Sequence, residues 1–264
     1  YLKVLNKVIV VTGASGGIGR ELVLQLLEKG ARVAAVINKS GLQETQSLSK
    51  DYGEKISTHI ANLVNIDDVE KLPEEIIAKH GRVDGIINNA GIIQPFINVN
   101  DLDFEKIKLV MDVNFYGTLY MCKAFLPHLL QRPEAHITNI CSMGGFLPVP
   151  RQSIYCASKA AVKMFTEGLY SELNHSKVGV TVVFPGGVNT NIVENSGAER
   201  ERDESQNRYY KLLSPKEAAE IIIRGMENKE FRVLAGKDAK LMDFLYRFNP
   251  KKAAELIAKK LGKP

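Results

Sequence analysis

Short runs of β-branched and other apolar residues alternate with amphipathic helical segments along most of the chain. The first run, "KVIVVTG" at 7–13, precedes a segment at 17–30 whose apolar residues recur at helical spacing. Strand–helix units of this length join parallel strands through right-handed crossovers, and strands that are apolar throughout are buried on both faces. The sequence therefore predicts an α/β fold, a single doubly wound parallel sheet of Rossmann type with helices on both faces. Strands are expected at 7–13, 31–37, 55–61, 83–89, 136–142, 179–185 and 232–236, and helices at 17–30, 42–53, 66–80, 103–131, 153–175 and 215–227.

A glycine-rich turn, "TGASGGIG" at 12–19, joins the first predicted strand to the first predicted helix. Gly13, Gly17 and Gly19 would allow the backbone to turn sharply and a pyrophosphate to approach the amides that open the helix. Their spacing, GxxxGxG, differs from the common GxGxxG pattern. Its position in the first strand-to-helix turn predicts a dinucleotide phosphate site.

The segment "SIYCASKAA" at 153–161 puts Tyr155 and Lys159 on one face of a predicted helix, because positions i and i+4 lie one above the other. A nearby ammonium stabilises a phenolate and so lowers the pKa of a tyrosine, which is ordinarily about 10. A tyrosine of lowered pKa would exchange a proton with an alcohol or a carbonyl. Taken alone, this pair is more typical of an ordinary helix surface.

Six motifs together resemble the short-chain dehydrogenase/reductase family. They are TGxxxGxG at 12–19, NNAG at 88–91, Asn114, Ser142, YxxxK at 155–159 and PGGVNT at 185–190. The resemblance extends over residues 6–236, and the motifs occur in the family's order on the expected strands and helices. It implies an NAD(P)-dependent alcohol dehydrogenase or carbonyl reductase, which interconverts a carbonyl and a secondary alcohol by hydride transfer.

The resemblance implies a catalytic role for four residues. Tyr155 would be the general acid in carbonyl reduction and the general base in the reverse reaction. Lys159 would lower the pKa of Tyr155 and bind the nicotinamide ribose. Ser142 would hydrogen-bond the substrate oxygen, and Asn114 would orient a water molecule that links Lys159 to solvent. Fixed donors of this kind stabilise the charge that develops on an alkoxide oxygen.

The resemblance also implies a set of cofactor-binding residues, with two departures from the family's pattern. Asn62 stands where an Asp usually contacts the adenine, although its amide oxygen can still accept a hydrogen bond. No acid occurs at Ile37 or Asn38 to bind ribose hydroxyls, whereas Lys39 and Ser40 would suit a 2′-phosphate. NADP is therefore the preferred cofactor and NAD the alternative. The expected residues are Gly13, Ser15, Gly16, Gly17, Ile18, Gly19, Asn38, Lys39, Ser40, Asn62, Leu63, Asn89, Ala90, Gly91, Tyr155, Lys159, Pro185, Gly186, Val188 and Thr190.

Residues 189–213 form a charged stretch that corresponds to the family's substrate lid. An apolar small-molecule carbonyl or alcohol is expected, because Phe, Met and Ile occur among the residues of the expected pocket. Two alternatives stay open: a catalytically silent dinucleotide-sensing regulator, and a membrane-surface reductase of lipid-like carbonyls. The expected substrate-contacting residues are Ser142, Gln94, Phe96, Met143, Gly144, Phe146, Gln152 and Ile192.

Composition narrows the class of protein further. The 264 residues are 45% hydrophobic and 25% charged, which is typical of a globular domain, and three cysteines disfavour a disulfide scaffold. The five histidines are scattered, so no metal site is expected. No apolar run reaches the roughly 18 residues of a membrane-spanning helix. We expect a cytoplasmic homo-oligomer, a dimer or tetramer, that does not bind nucleic acid.

A basic tail, residues 237–264, follows the expected catalytic domain at 1–236. The tail contains eight Lys or Arg and three acids, which accounts for the whole net charge of +5. Asn249 and Pro250 predict the start of its second helix. The tail is expected to dock on the body or a partner subunit, or else to contact a membrane surface or an acidic partner. Its expected apolar stripes are Leu241, Phe244, Leu245 and Phe248, then Ala253, Leu256, Ile257 and Leu261.

Overall fold

Seven parallel strands form one sheet in the computed structural model, which describes residues 2–198 and 212–261. The strands are β1 (Val8–Thr12), β2 (Arg32–Ile37), β3 (Ile56–Ile60), β4 (Gly85–Asn88), β5 (Ala135–Ile140), β6 (Val178–Pro185) and β7 (Arg232–Ala235). Their order in the sheet is β3-β2-β1-β4-β5-β6-β7, so the chain winds from β1 first to one edge and then to the other. This confirms the predicted doubly wound, Rossmann-type sheet.

Helices cover both faces of the sheet. They are α1 (Gly17–Glu28), α2 (Leu42–Tyr52), α3 (Ile66–His80), α4 (Phe104–Met111), α5 (Gly117–Leu130), α6 (Ser153–Glu172), α7 (Ile192–Asn195), α8 (Pro215–Glu227), α9 (Lys237–Phe248) and α10 (Pro250–Leu261). Within the described residues, no helix is both long and apolar enough to cross a membrane. The predicted bounds of α3 and α8 agree with the structure, and most others differ by a few residues.

The strands are apolar at consecutive positions because both faces of the sheet are covered. In β1, Ile9 and Val11 belong to the core that includes α1 and α8, whereas Val8 and Val10 belong to the core that includes α3 and α5. All four side chains are at most 1% exposed. Full burial of such a side chain contributes roughly 1.5–3 kcal/mol, so the apolar pattern strongly favours a strand enclosed on both sides.

The long helical region predicted over 103–131 is interrupted by a π-helical turn. α4 ends at Met111, and Asp112–Tyr116 form the turn, in which the N–H of Gly117 donates to the carbonyl of Asp112. Helical apolar spacing does not reveal this turn, because the single extra residue shifts the pattern only locally. Asn114 lies in the turn and is fully buried.

The basic tail forms a helical hairpin that follows β7 directly. Asn249 caps α10, because its side-chain oxygen accepts a 2.9 Å hydrogen bond from the N–H of Lys252, and Pro250 is the first helical residue, as predicted. Asp243 of α9 binds the guanidinium of Arg232 in β7 through two hydrogen bonds of 2.7 and 3.0 Å. This largely buried ion pair fixes the orientation of α9 on the body.

The first apolar stripe predicted for the tail does not pack on the body. Only Leu245 is half-buried, whereas Leu241, Phe244 and Phe248 are 48%, 67% and 84% exposed. The inward face of α9 carries Met242 instead, on the same side as the ion-paired acid. Apolar spacing predicted the helix, but the ion pair between Asp243 and Arg232 determines which face of α9 is buried.

The second predicted stripe packs on the body in part. Ala253 and Ile257 are buried and form a small core with Leu147. Leu256 is 38% exposed, and the side chain of Leu261 lies outside the described part of the structure. The tail therefore docks on the body through α10 and the inward face of α9.

Candidate active site

The carboxyl ends of β1 and β4 are adjacent in the sheet, at the point where the strand order reverses. Open α/β sheets bind ligands in the crevice at such a point. The glycine-rich turn follows β1, and the NNAG motif begins at the end of β4. The fold therefore brings the two predicted cofactor motifs together.

The glycine-rich turn fits a bound phosphate. Gly13 and Gly17 have positive φ angles of 63° and 53°, and a Cβ on Gly19 would collide with the carbonyl of Gly13. Gly16, the residue before α1, provides no side-chain cap, and the first turn of α1 contains no acid. The amides at this helix N-terminus thus lack a side-chain acceptor of their own, which is the arrangement that attracts an anion.

The NNAG motif is bonded directly to the glycine-rich turn. Thr12 Oγ1 accepts 3.0 Å hydrogen bonds from the main-chain N–H groups of Asn89 and Ala90. The Asn89 side chain donates to the carbonyls of Thr12 and Gly13 at 3.0 and 3.3 Å. A Cβ on Gly13 would lie 2.9 Å from the Cα of Ala90. These contacts make the predicted cofactor platform one connected unit.

The turn after β2 carries the residues predicted to select the cofactor. Asn38, Lys39 and Ser40 are all exposed, and Ser40 Oγ donates to Asn38 Oδ1 at 2.8 Å. A Cβ on Gly41 would collide with the side chain of Ser15. The turn after β2 therefore lies against the glycine-rich turn, as a shared dinucleotide site requires.

Asn62 and Leu63 follow β3 at the same edge of the sheet. The main-chain N–H of Asn62 donates to Asp68 at 3.1 Å, and its exposed side-chain oxygen accepts from Val64 at 3.4 Å. Leu63 is half-buried and lies against Gly117. A Cβ added to Gly117 would be 3.2 Å from the Cβ of Leu63. The side-chain oxygen of Asn62 accepts one weak bond and keeps further acceptor capacity.

The loop after β6 is held by the tail. Pro185 ends β6, and a Cβ on Gly186 would collide with the carboxylate of Asp238 in the first turn of α9. The N–H of Gly187 donates to Asp238 Oδ2 at 2.7 Å. The residues predicted to face the nicotinamide are thus positioned by a carboxylate that lies outside the expected catalytic domain.

The same loop continues back to the glycine-rich turn. Val188 pairs with Leu213 in an isolated bridge, and a Cβ on Gly17 would lie 3.2 Å from the Thr190 methyl group. The predicted lid, 189–213, is described only at 189–198 and 212–213. Its helix α7 is tied to the loop after β4, because the hydroxyl of Ser196 accepts from the N–H of Ile93 at 3.0 Å.

The predicted catalytic residues Ser142 and Tyr155 come from two elements that meet at the end of β5. Ser142 follows β5 in extended conformation, and its hydroxyl accepts a 3.0 Å hydrogen bond from the N–H of Gly144. Tyr155, in the first turn of α6, is hydrogen-bonded to the Ser142 side chain. A Cβ on Gly144 would lie 3.4 Å from the Tyr155 ring, so glycine there leaves room for the two hydroxyls to meet.

Burial dominates the acid–base properties of Tyr155 and Lys159. It raises the pKa of Tyr155 above the usual range of a phenol, and the hydrogen bond to Ser142 opposes the rise. It lowers the pKa of Lys159, whose ammonium donates to the carbonyl of Ile140 at 3.0 Å. In this arrangement loss of hydration outweighs the hydrogen bond to Ser142, and the lowering of the Tyr155 pKa by Lys159 stays a prediction.

Asn114 connects the loop after β4 to α6. Its side-chain amide exchanges hydrogen bonds of 2.8 and 2.9 Å with the main chain of Ile92, and it donates to Ser158 Oγ at 2.9 Å. Ser158 in turn donates to the carbonyl of Tyr155 at 2.7 Å. A Cβ on Gly91 would lie 3.2 Å from both Asn114 Oδ1 and the Lys159 ammonium, so two of the predicted catalytic residues meet at this glycine.

Two residues predicted to contact substrate, Gln94 and Gln152, are buried and hydrogen-bonded to the main chain. The oxygen of the fully buried Gln94 side chain accepts from the N–H groups of Ile154 and Tyr155 at 2.8 and 3.2 Å, and its nitrogen donates to the carbonyl of Arg151 at 3.0 Å. Gln152 is also buried and donates to the carbonyl of Gln94 at 2.9 Å. α6 has no side-chain cap from its own preceding residue, so Gln94 supplies the acceptor that its first amides need.

Phe146, also predicted to contact substrate, packs where the body meets the tail. Its ring packs against Phe184 and Tyr246, with centroid separations of 5.4 and 6.3 Å, and the guanidinium of Arg232 lies 5.6 Å from its centre. This side chain therefore belongs to the contact between the body and the tail. Sequence alone could not reveal this, because an aromatic residue near the catalytic serine suits either role.

Apart from Ser142, four further predicted substrate residues remain candidates for a pocket wall. Met143 and Gly144 follow Ser142 directly. Phe96 is half-buried in the loop after β4, and Ile192 is half-buried at the start of α7. Three of these side chains are apolar, which keeps the expectation of an apolar substrate as a prediction.

Sequence reasoning missed three positioning residues. Thr12 lies inside the glycine motif, and its place at a strand end was the available signal. Ser158 lies three residues after Tyr155 and therefore on the same side of α6. Asp238 had no sequence signal that linked it to the loop after β6, because its contact crosses 51 residues.

Comparisons with known proteins agree with this geometry. A family model described as short chain dehydrogenase matches residues 7–201. A Mycobacterium tuberculosis protein named as an oxidoreductase, SadH, is 36% identical over 266 residues, which cover 98% of this chain and 96% of SadH. An uncharacterised oxidoreductase of Staphylococcus epidermidis is 36% identical over 208 residues, which cover 78% of this chain and 88% of the relative.

Two solved structures resemble the whole fold. A short-chain dehydrogenase of Burkholderia cenocepacia in complex with NADP has a TM-score of 0.80 and 27% identity, with 100% of both chains covered. A short-chain dehydrogenase/reductase of Burkholderia phymatum in complex with NAD has a TM-score of 0.85 and 24% identity, with 96% of both chains covered. The chain therefore belongs to the short-chain dehydrogenase family and is an oxidoreductase of that family.

Proposed function

We propose that this protein interconverts a carbonyl and a secondary alcohol with NADP as cofactor. The observation that carries the proposal is the hydrogen bond between Ser142 and Tyr155, with Lys159 and Asn114 buried in the same site. Two hydroxyls that meet at a strand end can both bind one substrate oxygen. All four residues expected for turnover are present, which disfavours a catalytically silent dinucleotide sensor.

The proposed cofactor site is built from three turns. The amides that open α1 would bind the pyrophosphate, the turn after β2 would bind the adenosine side, and the loop after β6 would bind the nicotinamide side. The positive φ angles of Gly13 and Gly17 and the uncapped start of α1 support this fit. When bound, NADP supplies the hydride chemistry that side chains lack.

Tyr155 would act as the proton donor when a carbonyl is reduced. Burial raises the pKa of its phenol, so the proton is present at neutral pH, and the hydrogen bond to Ser142, which acts against this rise, favours its release. Ser142 would hydrogen-bond the same substrate oxygen and stabilise the charge that develops there. Lys159, whose pKa is lowered by burial, would hold the nicotinamide ribose and return a proton toward Tyr155.

Asn114 would act mainly by positioning. Its side-chain amide is already bonded to Ile92 and Ser158, and Ser158 is bonded to the carbonyl of Tyr155. These contacts support a role in holding α6 against the loop after β4. The orientation of a water molecule beside Lys159 is a further role that we propose for the same residue.

The preference for NADP rests on the turn after β2. Lys39 is exposed there beside Ser40, and no acid occurs at Ile37 or Asn38. A cation and a hydroxyl favour a 2′-phosphate, whereas an acid would repel it. The B. cenocepacia relative was solved with NADP, which supports the preference, and NAD remains the alternative.

The proposed substrate is a small apolar carbonyl or alcohol, because Met143, Phe96 and Ile192 are the half-buried candidates for the pocket wall.

We also propose a homo-oligomer. Exposed apolar residues at Leu109, Tyr116 and Leu130 support it, and light scattering of the purified chain would measure its mass.

The direct test is a panel of aldehydes and ketones that differ in size and polarity. Turnover is followed as loss of reduced-nicotinamide absorbance with NADPH and, separately, with NADH. The proposal predicts turnover that is faster with NADPH and better with apolar carbonyls. Tight binding of either cofactor without turnover on any member of the panel, in either reaction direction, would favour the silent sensor instead.

A further inference from the structure

The outward face of α9 combines aromatic and cationic side chains. At 100° per residue, six exposed residues fall within one sector of the helix. Three are apolar and three are basic; they are Leu241, Phe244, Phe248, Lys237, Lys240 and Arg247. We name these six residues the outward face. No acid occurs on it: Asp238 and Asp243 are bonded to the body, although Asp243 also pairs with Arg247 at 3.1 Å and so offsets part of its charge.

The aromatic residues of the outward face are unusually accessible. The side chains of Phe244 and Phe248 are 67% and 84% exposed, one turn apart on the same helix. Scattered single apolar residues are normal on a protein surface, but two successive turns of one helix that expose a leucine and two phenylalanines indicate a binding face. The anchored Asp243–Arg232 pair prevents α9 from rotating to bury them.

α10 extends the positive charge of this surface. Lys251, Lys252 and Lys259 are exposed, and Glu255 is the one exposed acid in the described part of the hairpin. Glu255 lies 4.0 Å from the ammonium of Lys251, so its negative charge offsets mainly the charge of that lysine. Within the described residues, six exposed cations therefore accompany three exposed apolar side chains on α9.

We propose that the outward face of α9, together with the lysines of α10, binds the surface of an anionic lipid membrane. Aromatic and leucine side chains would enter the boundary between headgroups and acyl chains, and the long cationic side chains would reach lipid phosphates beside them. A second copy of the chain fits this face less well. A two-fold contact through α9 would bring Lys240 and Arg247 of each copy against the same cations of the other.

The membrane contact has a consequence for the site. The first turn of α9 also holds the loop after β6, through the hydrogen bond from Gly187 to Asp238. The helix that contacts lipid would therefore be joined directly to the proposed nicotinamide side of the active site. A face of this kind suits an enzyme whose apolar substrate is dissolved in the membrane.

The test is co-sedimentation of the full chain with vesicles of phosphatidylcholine alone or mixed with phosphatidylserine. The wild type is expected to bind the mixed vesicles, to bind phosphatidylcholine weakly, and to lose binding at high salt. Phe244→Ser with Phe248→Ser is expected to lower the bound fraction roughly tenfold. Lys240→Glu with Lys252→Glu is expected to lower it on mixed vesicles only.

Phe104→Ser is the matched control, because Phe104 is 86% exposed on α4, outside the tail. It should leave vesicle binding unchanged, and circular dichroism should show all variants folded. Equal loss in the control, or no binding by the wild type, would overturn the proposal. Light scattering without lipid distinguishes membrane binding from self-association of the chain. A lower mass for the double Phe variant than for the wild type, with unchanged vesicle binding, would show that the outward face binds a second copy and would overturn the proposal.

Discussion

The side-chain oxygen of Gln94 lies 3.2 Å from the main-chain nitrogen of Tyr155 and accepts its hydrogen bond. The loop that follows β4, which carries the NNAG motif, thus caps the helix that carries the proposed proton donor. Together with the Asn114–Ser158 contact, it links the expected cofactor platform to α6 at two points.

Gln94→Met tests this link. The variant leaves the first amides of α6 without their acceptor and the carbonyl of Arg151 without its donor. We expect the free energy of unfolding to fall by about 2–4 kcal/mol and kcat to fall more than cofactor affinity. Gln94→Glu keeps the acceptor and should recover part of kcat. Wild-type stability and turnover in Gln94→Met, measured by urea denaturation and steady-state kinetics, would contradict the capping role.

Asp238→Ala removes the acceptor that holds the N–H of Gly187. The loop after β6 would then lose its anchor to α9, and we expect the dissociation constant for NADPH to rise roughly tenfold. Asp238→Asn retains an acceptor oxygen and should show a smaller change. Cofactor titration by fluorescence measures both variants, and unchanged affinity in Asp238→Ala would mean that the tail does not position this loop.

Lys39→Ala tests the cofactor preference. Loss of the cation should raise the dissociation constant for NADPH roughly five- to tenfold and leave that for NADH nearly unchanged, because only NADPH has a 2′-phosphate. Lys39→Arg should retain the preference, and Lys50→Ala on exposed α2 is the surface-charge control. Equal changes for the two cofactors, or tighter NADH binding by the wild type, would overturn the NADP assignment.

Buried histidines predict how stability depends on pH. Burial lowers the pKa of His136 to about 3 and that of His80 to about 4, from an ordinary value of 6.5. Between pH 6.5 and the lowered pKa of each histidine, the unfolded chain binds a proton that the folded chain does not. The stability that each histidine contributes is therefore present above pH 6.5 and is lost as pH falls toward about 4 for His80 and about 3 for His136. Each histidine contributes a slope of at most about 1.4 kcal/mol per pH unit.

His136→Gln should reduce this slope. Urea denaturation of the wild type and the variant at several pH values measures it independently of any overall loss of stability. An equal slope in both proteins would mean that His136 is not the group that binds the proton on unfolding.

The sheet and the placement of the glycine-rich turn and the NNAG motif at its strand ends were predictable from the sequence, because both depend on local patterns. Apolar runs such as β1 are buried on both faces, and the glycines at 13 and 17 take the positive φ angles that their turn requires. The hydrogen bonds made by Gln94 and Asp238 and the packing of Phe146 depend instead on contacts between segments far apart in the chain. Their residue types were compatible with several roles, so spacing alone could not separate a pocket wall from an anchor.

The acid–base chemistry was the least predictable part of the site. The i, i+4 spacing of Tyr155 and Lys159 predicted a lowered phenol pKa, but the pKa of a group also depends on how much water surrounds it. In the structure the ammonium of Lys159 is directed at the carbonyl of Ile140, and burial raises the pKa of Tyr155. The degree of burial is a property of the whole fold and is not contained in the motif.

The most direct measurement of the central proposal is single-turnover kinetics of Tyr155→Phe with NADPH and a carbonyl on which the wild type is active. The variant keeps the ring and loses the hydroxyl that is bonded to Ser142. Removal of a general acid typically costs 10²–10⁴-fold, so the rate of the chemical step should fall by roughly that factor while the dissociation constant for NADPH stays nearly unchanged. Tyr170→Phe, a partly exposed tyrosine in the C-terminal half of α6, is the matched control and should keep the wild-type rate. A Tyr155→Phe variant that binds NADPH normally and retains the wild-type rate would contradict the assignment of Tyr155 as the proton donor.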